Sequence, residues 1–463
     1  MMKVAFSRIN ITPKNVIGMA MAGYTRPDPC KGILDEIHAY GVLIESKNDN
    51  NQLLLLSVDI LKLPLSITNY MKKKILKEFP SLDSNRVLIH ATHTHSAPDT
   101  TGEFYWPGSG INVLRGIMFG ANRSDDYIVW FTMQVIKLVQ KLFTSLKPCK
   151  FAWSSKKFNP DLVIQRRHPT KKIEPRLGVI VFKDYKDDEI IGFITHYACH
   201  PTSLSYANSQ LSADWPGRFI HRIDELTNNE ISSIYFNGPS GDINPITTCG
   251  TNYDQLDKNK SLIYDQLGDY QDTIRIGYNI AEEALTLAKA IKKSAYFEEI
   301  DIEGQIKDFW IPFKDHKYYS NQWKSNKLVH ALKKILLMPI AKIIGENANF
   351  PAFTIKRLRG HLNAATIIQY IKVKAFTDSK VKKFSIITVP GELFEDLGEI
   401  LLKKSPTGAA DSFIIQNGND WIAYLFSRKE YIEHGGYEPQ ASFSPICGDR
   451  VMKEVLQVFN KER

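Results

Sequence analysis

An α/β fold with mixed β-sheets flanked by helices is what the sequence predicts, and three observations carry that expectation. Apolar runs of strand length alternate with segments of helical period from one end to the other. No internal repeat or low-complexity stretch breaks the alternation. The 463 residues are 43% hydrophobic and 24% charged, which supplies a large core and excludes a disordered chain. Length alone allows one large domain or about three ordinary ones. The unbroken alternation predicts a single catalytic unit over residues 1–463.

Each element follows from its pattern. Gln52 to Ile60 (QLLLLSVDI) is continuously apolar, as a strand covered on both faces must be. Ile67 to Phe79 reads as an amphipathic helix and Arg86 to Ala91 as a second short strand, together a βαβ-like unit. Tyr127 to Leu146 repeats apolar residues at helical spacing. Leu177 to Lys183 and Glu189 to Ala198 are strands separated by a polar Lys-Asp-Asp turn. Ile276 to Ile291 is a helix, Phe384 to Val389 a strand, and Leu393 to Lys404 a helix. Asp308 to Phe353 reads as an insertion, aromatic at first and then aliphatic with interspersed lysines from Leu328 to Ile344. An ordinary helix with solvated lysines, kinked at Pro339, is the preferred account. The alternative is a basic amphipathic helix that lids an apolar pocket or makes peripheral membrane contact through 328–344.

Lysine and arginine outnumber aspartate and glutamate 59 to 50, a net charge of +9. The excess is thinly spread. Its densest stretches, Lys72 to Lys77 and Lys156 to Lys172, accompany no zinc-finger, RRM or helix-turn-helix signature, so no nucleic-acid partner is expected. Five widely spaced cysteines, none in a C-x-x-C pair, argue against a disulfide scaffold and fit a reducing compartment. The opening Met-Met-Lys-Val-Ala-Phe-Ser-Arg has no apolar signal-like core, and no run reaches roughly 18 apolar residues. A cytoplasmic location is therefore expected.

Two histidine clusters follow apolar strands. Ala91-Thr92-His93-Thr94-His95-Ser96 sets two imidazoles two residues apart, on one side of an extended chain. In His196-Tyr197-Ala198-Cys199-His200-Pro201-Thr202, Pro201 biases His200 toward extended geometry and Cys199 reads as a small buried hydrophobe. Imidazole is the commonest protein ligand for zinc, and strand carboxyl ends are where α/β sheets form ligand crevices. Phe236 to Pro245 is rich in turn formers, and Val389-Pro390-Gly391-Glu392 is a strand, a turn and a helix start.

Together, Gly23-Tyr24, Ser57-Val58-Asp59, Thr92-His93-Thr94-His95-Ser96, His200-Pro201-Thr202-Ser203, Gly241-Asp242-Ile243-Asn244-Pro245, Pro390-Gly391-Glu392, Tyr424 and Gly435-Gly436-Tyr437-Glu438 resemble the catalytic domain of the neutral/alkaline ceramidase family. The resemblance runs from about Val4 to about Pro439. It implies a zinc-dependent amidohydrolase that cleaves an N-acyl bond of a small-molecule or lipid-like substrate. Its Zn2+ would be held by His93, His200, Glu392 and Tyr424. It further implies His95 as proton-transfer or oxyanion partner, Arg166 (or Arg167, one residue on) as a binder of a substrate oxygen, and Tyr437 as a second active-site tyrosine. The family's serine in G-D-V-S-P is here Asn244, whose amide can donate a hydrogen bond but is no nucleophile. Asp99, in place of a glycine-rich continuation, is expected to bring a carboxylate near the cavity. These departures point to a substrate other than ceramide. An esterase, a sugar deacylase and an inactive metal-binding homologue are the alternatives.

Overall fold

The computed structural model describes residues 1–24, 26, 28–47, 51–104, 123–247, 268–312, 349–358, 361–434 and 438–463. Its larger sheet has eight strands: β1 (Lys3–Asn10), β2 (His38–Glu45), β3 (Gln52–Val58), β4 (Val87–Ala91), β5 (Lys147–Lys157), β6 (Arg176–Asp184), β7 (Ile190–Tyr197) and β8 (Ser232–Asn237). Their spatial order is β8-β7-β6-β5-β1-β2-β3-β4. The two outermost pairs, β3 with β4 and β7 with β8, run parallel, and the strands between them are antiparallel.

Helix α1 (Leu65–Glu78) connects β3 to β4, so the βαβ unit read from the sequence is present. Every residue of β3 is buried, as its unbroken apolar run requires. Helix α2 (Asp125–Thr144) starts at Ser124, whose side chain accepts from Tyr127 N, with Asp125 and Asp126 favourably set in the first turn. Helices α3 (Asp214–Thr227) and α4 (Tyr270–Lys289) pack together, the latter opened by a capping box between Asp269 and Asp272.

The second sheet has five strands: β9 (Glu299–Pro312), β10 (Ile355–Leu358), β11 (His361–Phe376), β12 (Val381–Thr388) and β13 (Ser412–Ile415). Its order is β9-β11-β12-β13, with β10 also paired to β11. Helix α5 (Glu395–Lys404) follows β12, α6 is Arg428–His434, and α7 (Cys447–Glu462) closes the chain. One apolar core draws from both sheets, including Phe182, Phe193 and Ile194 of the first and Phe384, Ile386 and Phe413 of the second. The Phe413 ring fits against Gly178, where an added Cβ would come within 2.5 Å of it. Side-chain packing joins the two sheets, with cross-links such as His196 Nε2 to the Ile414 carbonyl (2.7 Å) between them.

Asp308 to Pro312, which the sequence assigns to an insertion, complete β9 and pair with β11 through Pro312↔Asn363. Phe309 and Ile311 are buried in the second sheet's core. The proposed helix from Leu328 to Ile344, with its membrane or lid alternative, lies outside the described residues. No helix among the described residues is long and apolar enough to cross a membrane.

The arrangement directs five loops to one place. The segments leaving the carboxyl ends of β4, β7, β8, β12 and β13 carry, in turn, His93 and His95, His200, Ser240 to Asn244, Glu392, and Trp421 with Tyr424. Gln416 locks three of them together. Its backbone N–H donates to Asn237 O (3.1 Å), its side-chain oxygen accepts from Ser240 N and Leu393 N (3.0 and 3.1 Å), and its amide donates to Ser240 Oγ (2.8 Å).

Candidate metal centre

Beyond β4 the chain turns abruptly at His93, which adopts a left-handed backbone with φ of 70°. A residue other than glycine holds that conformation only where its surroundings enforce it. Here the His93 N–H bonds the Ile60 carbonyl (3.0 Å) and ring Nδ1 bonds the Leu61 carbonyl (2.7 Å). A carbonyl can only accept, so Nδ1 carries the proton and Nε2 keeps its lone pair. This turn replaces the extended geometry expected for His93 and His95, yet the two rings still meet, 5.1 Å apart at 78°. Gly23, with φ of 100°, leaves room for His95: a Cβ there would lie 2.5 Å from its side chain.

His200 receives the same treatment as His93. Its N–H bonds the Ile243 carbonyl (3.0 Å) and its Nδ1 bonds the Ser240 carbonyl (3.0 Å), again freeing Nε2. Glu392 opens a two-residue parallel ladder, Glu392–Leu393 with Tyr424–Leu425, held by Glu392 N to Ala423 O and Phe394 N to Leu425 O (both 3.0 Å). Trp421 Nε1 donates to Glu392 Oε1 (3.0 Å).

The remaining carboxylate oxygen, Glu392 Oε2, stands 3.4 Å from His93 Nε2 and 3.6 Å from His200 Nε2. His93 Nε2 and Glu392 Oε2 have no hydrogen-bond partner among the described residues, and all three side chains are buried. Two lone pairs and a carboxylate oxygen facing one another out of water repel unless a cation lies between them. Donors bound to one tetrahedral zinc at about 2.0–2.1 Å stand about 3.3–3.4 Å apart, so the donor set and its spacing fit such an ion. His95 joins the group with Nε2 3.2 Å from His200 Nε2, and the three histidines form one buried cluster. Its Nδ1, unlike those of His93 and His200, has no carbonyl to fix it among the described residues.

Burial, reinforced by His93, lowers the His200 imidazole to about 3. Burial, with His93 and His200 nearby, likewise holds His95 well below the ordinary histidine value. For Glu392 burial pushes the other way, but His93, His200 and Arg166 outweigh it and bring the carboxyl to about 2. An ionised Glu392 carboxylate beside a His200 imidazole that burial disfavours protonating is the ligand state a metal requires.

The other residues singled out in the sequence fall into place as follows. Tyr424 pairs in register with Glu392 and is buried, with the Arg166 guanidinium 5.4 Å from its ring centre. Arg166 is the site-facing arginine: its Nη2 donates to Gly241 O (2.7 Å) and meets Glu438 Oε1 (3.1 Å). Arg167 turns away, to Glu430 (2.6 Å), Glu438 (2.7 Å) and the Phe394 ring. Asn244 lies on a short strand paired with Ile164, buried, its Oδ1 without a hydrogen-bond partner among the described residues. Tyr437 lies outside the described residues. Asp99 is held by its own loop. Its carboxylate accepts from Thr101 N, Thr101 Oγ1 and Phe104 N (2.8–2.9 Å), which makes it the staple of its own loop.

Three supports were not legible beforehand: the carbonyls of Leu61 and Ser240, and Trp421. Backbone carbonyls carry no sequence signal, and Trp421 follows only a turn-rich Asn-Gly-Asn-Asp. Lys62, buried at 1% exposure, extends this environment by reaching Glu103 (2.6 Å) and placing Nζ 3.8 Å over the Trp421 ring.

No known family profile matches the sequence. Among solved structures, the neutral ceramidase of Pseudomonas aeruginosa superposes with a TM-score of 0.71 over 99% of this chain and 75% of that one, at 15% identity. A ceramidase solved in complex with C2 gives the same TM-score and identity over 98% and 74%. The chain therefore has the neutral ceramidase fold, and the mixed α/β architecture expected from the sequence is the one found.

Proposed function

We propose that this protein is a zinc-dependent hydrolase that cleaves an N-acyl amide bond, with His93, His200, Glu392 and Tyr424 holding the metal. The single observation that carries the assignment is the outer support of the ligands. Histidines that bind a metal donate their second ring N–H to a carbonyl or carboxylate, and His93 and His200 do so, whereas His95 does not. Zinc bound there supplies a Lewis acid for the scissile carbonyl and a water whose pKa falls toward about 7. His95, with Nε2 turned to the cluster, exchanges the proton between water and leaving amine. Arg166 orients a substrate oxygen, while its pairing with Glu438 fixes the guanidinium. Asn244 contributes a hydrogen bond and no covalent intermediate.

The substrate is a small-molecule or lipid-like N-acyl compound, and a buried Lys62 stacked on the tryptophan that braces Glu392 favours a polar head group over plain ceramide. We further take residues 1–463 as one catalytic unit, supported by the core shared between the sheets, and the location as cytoplasmic, supported by four buried, unpaired cysteines among the described residues.

The decisive experiment compares zinc content in the purified protein and in the His93→Ala, His200→Ala double variant. The double variant is expected to hold about one equivalent less than the parent; equal content in both refutes the metal assignment. A panel of N-acyl sphingoid, N-acetyl sugar and ester substrates then sorts the bond cleaved. A zinc-bearing protein inert on the whole panel is a binding protein, not a hydrolase.

A further inference from the structure

We propose that His168, Glu430 and His434 form a second divalent-metal site, selective for transition metals, that clasps the loop after residues 163–165 to helix α6. The three donor atoms lie within 4.8 Å of one another. Glu430 and His434 are four residues apart on α6 (Arg428–His434) and therefore share a face. His168 approaches from the facing loop, positioned by its N–H to Gln165 Oε1 (3.1 Å).

Both imidazoles aim at the same oxygen. Glu430 Oε2 lies 3.2 Å from His168 Nε2 and 3.8 Å from His434 Nε2, and the rings stand edge to face, 4.4 Å apart at 81°. Glu430 Oε1 is already occupied by Arg167 Nε (2.6 Å), which orients the carboxylate and leaves Oε2 to the histidines. Two imidazole nitrogens and one carboxylate oxygen suit zinc, cobalt or nickel, whereas magnesium and calcium require oxygen-rich shells. The histidine side chains are 32% and 41% exposed, so an ion can enter from solvent and complete its shell with water. Glu433, 4.0 Å from His434 Nε2, adds negative charge at the rim. Arg167 shares the carboxylate, which makes the site weaker than three unshared ligands would be.

The site is distinct from the candidate centre and is joined to it by a chain of ion pairs, Glu430 to Arg167, Arg167 to Glu438, and Glu438 to Arg166. Metal binding would therefore brace the arginine that faces the cluster.

Cobalt titration of the full-length protein carrying a single equivalent of zinc tests this. One further equivalent is expected, with visible d–d absorption and a rise in Tm, because an ion that binds only the folded state stabilises it. His434→Ala and His168→Asn should each weaken that equivalent by more than about tenfold. His221→Ala, at a surface histidine 3.4 Å from Glu225, should not change it. The His93→Ala variant should keep it, which separates this site from the first. Absence of the equivalent, or its survival in both His168→Asn and His434→Ala, overturns the proposal. His434 is the more exposed ligand, so its variant remains informative should His168→Asn fold poorly.

Discussion

Replacing Trp421 by phenylalanine removes the brace on Glu392 and keeps an aromatic side chain at the position. A smaller phenyl ring stands in for the indole against which Lys62 Nζ rests at 3.8 Å. With the indole goes its N–H, now 3.0 Å from Glu392 Oε1 in a buried setting. A hydrogen bond to a charged group contributes about 1.5–3 kcal/mol. Since about 1.4 kcal/mol is a factor of ten, the loss weakens zinc binding by about 10- to 100-fold, the range found when supports of metal ligands are removed. Competition against a chelator of known affinity reads this directly, with far-UV circular dichroism to verify the fold. Zinc affinity within about twofold of the parent would refute the idea that Glu392 is a ligand held in place by Trp421.

Three further outcomes follow from the geometry. Glu438→Gln strips a buried acid from two arginines, and breaking a buried pair costs about 3–5 kcal/mol, so the denaturant midpoint should fall markedly; an unchanged midpoint contradicts the pairing. Gly23→Ala forces a methyl to within 2.5 Å of His95 and should lower kcat/KM at least about tenfold while zinc content is retained, whereas full activity would remove His95 from the proton path. His196, bonded through Nε2 to the Ile414 carbonyl, is depressed by burial from 6.5 to about 3. Between those values the unfolded chain binds a proton that the native state does not, so this residue's contribution to stability falls as pH drops, by about 1.4 kcal/mol per unit. The stability of His196→Gln relative to the parent should therefore improve on acidification below pH 6.5, and a difference that does not vary with pH contradicts it.

Apolar runs announce three of the five strands that end at the cluster, β4, β7 and β12, because a largely buried strand leaves few polar positions to confuse the pattern, whereas β8 and β13 are not read from the sequence. The strands in the middle of the large sheet were harder. Lys147–Lys157 (KPCKFAWSSKK) is polar at both ends and broken by Pro148, so its membership depends on partners distant in the chain. The aromatic stretch from Phe309 misled for a related reason: a hairpin strand of 14 residues pairs with one 16 residues long across a separation that local pattern does not span. At the cluster, the donors are legible as residue types and the family resemblance groups them, but local pattern alone does not give their convergence. It depends on the left-handed turn at His93 and on carbonyls that any residue could provide. Asp99 reads in the sequence as a carboxylate near the cavity, and what local pattern does not reveal is that both of its oxygens are engaged by Thr101 and Phe104 of its own loop.

Glu392 and Tyr424 occupy facing rungs of a ladder only two residues long. Alternate positions along a strand point to opposite sides, so a slip of either strand by a single residue would turn its own member of the pair, the acid or the phenol, away from the other. Gradual tuning of this corner, by nature or in the laboratory, is thereby closed off; variants will keep the pair or forfeit it outright, and useful diversity must be sought in the loops that surround it.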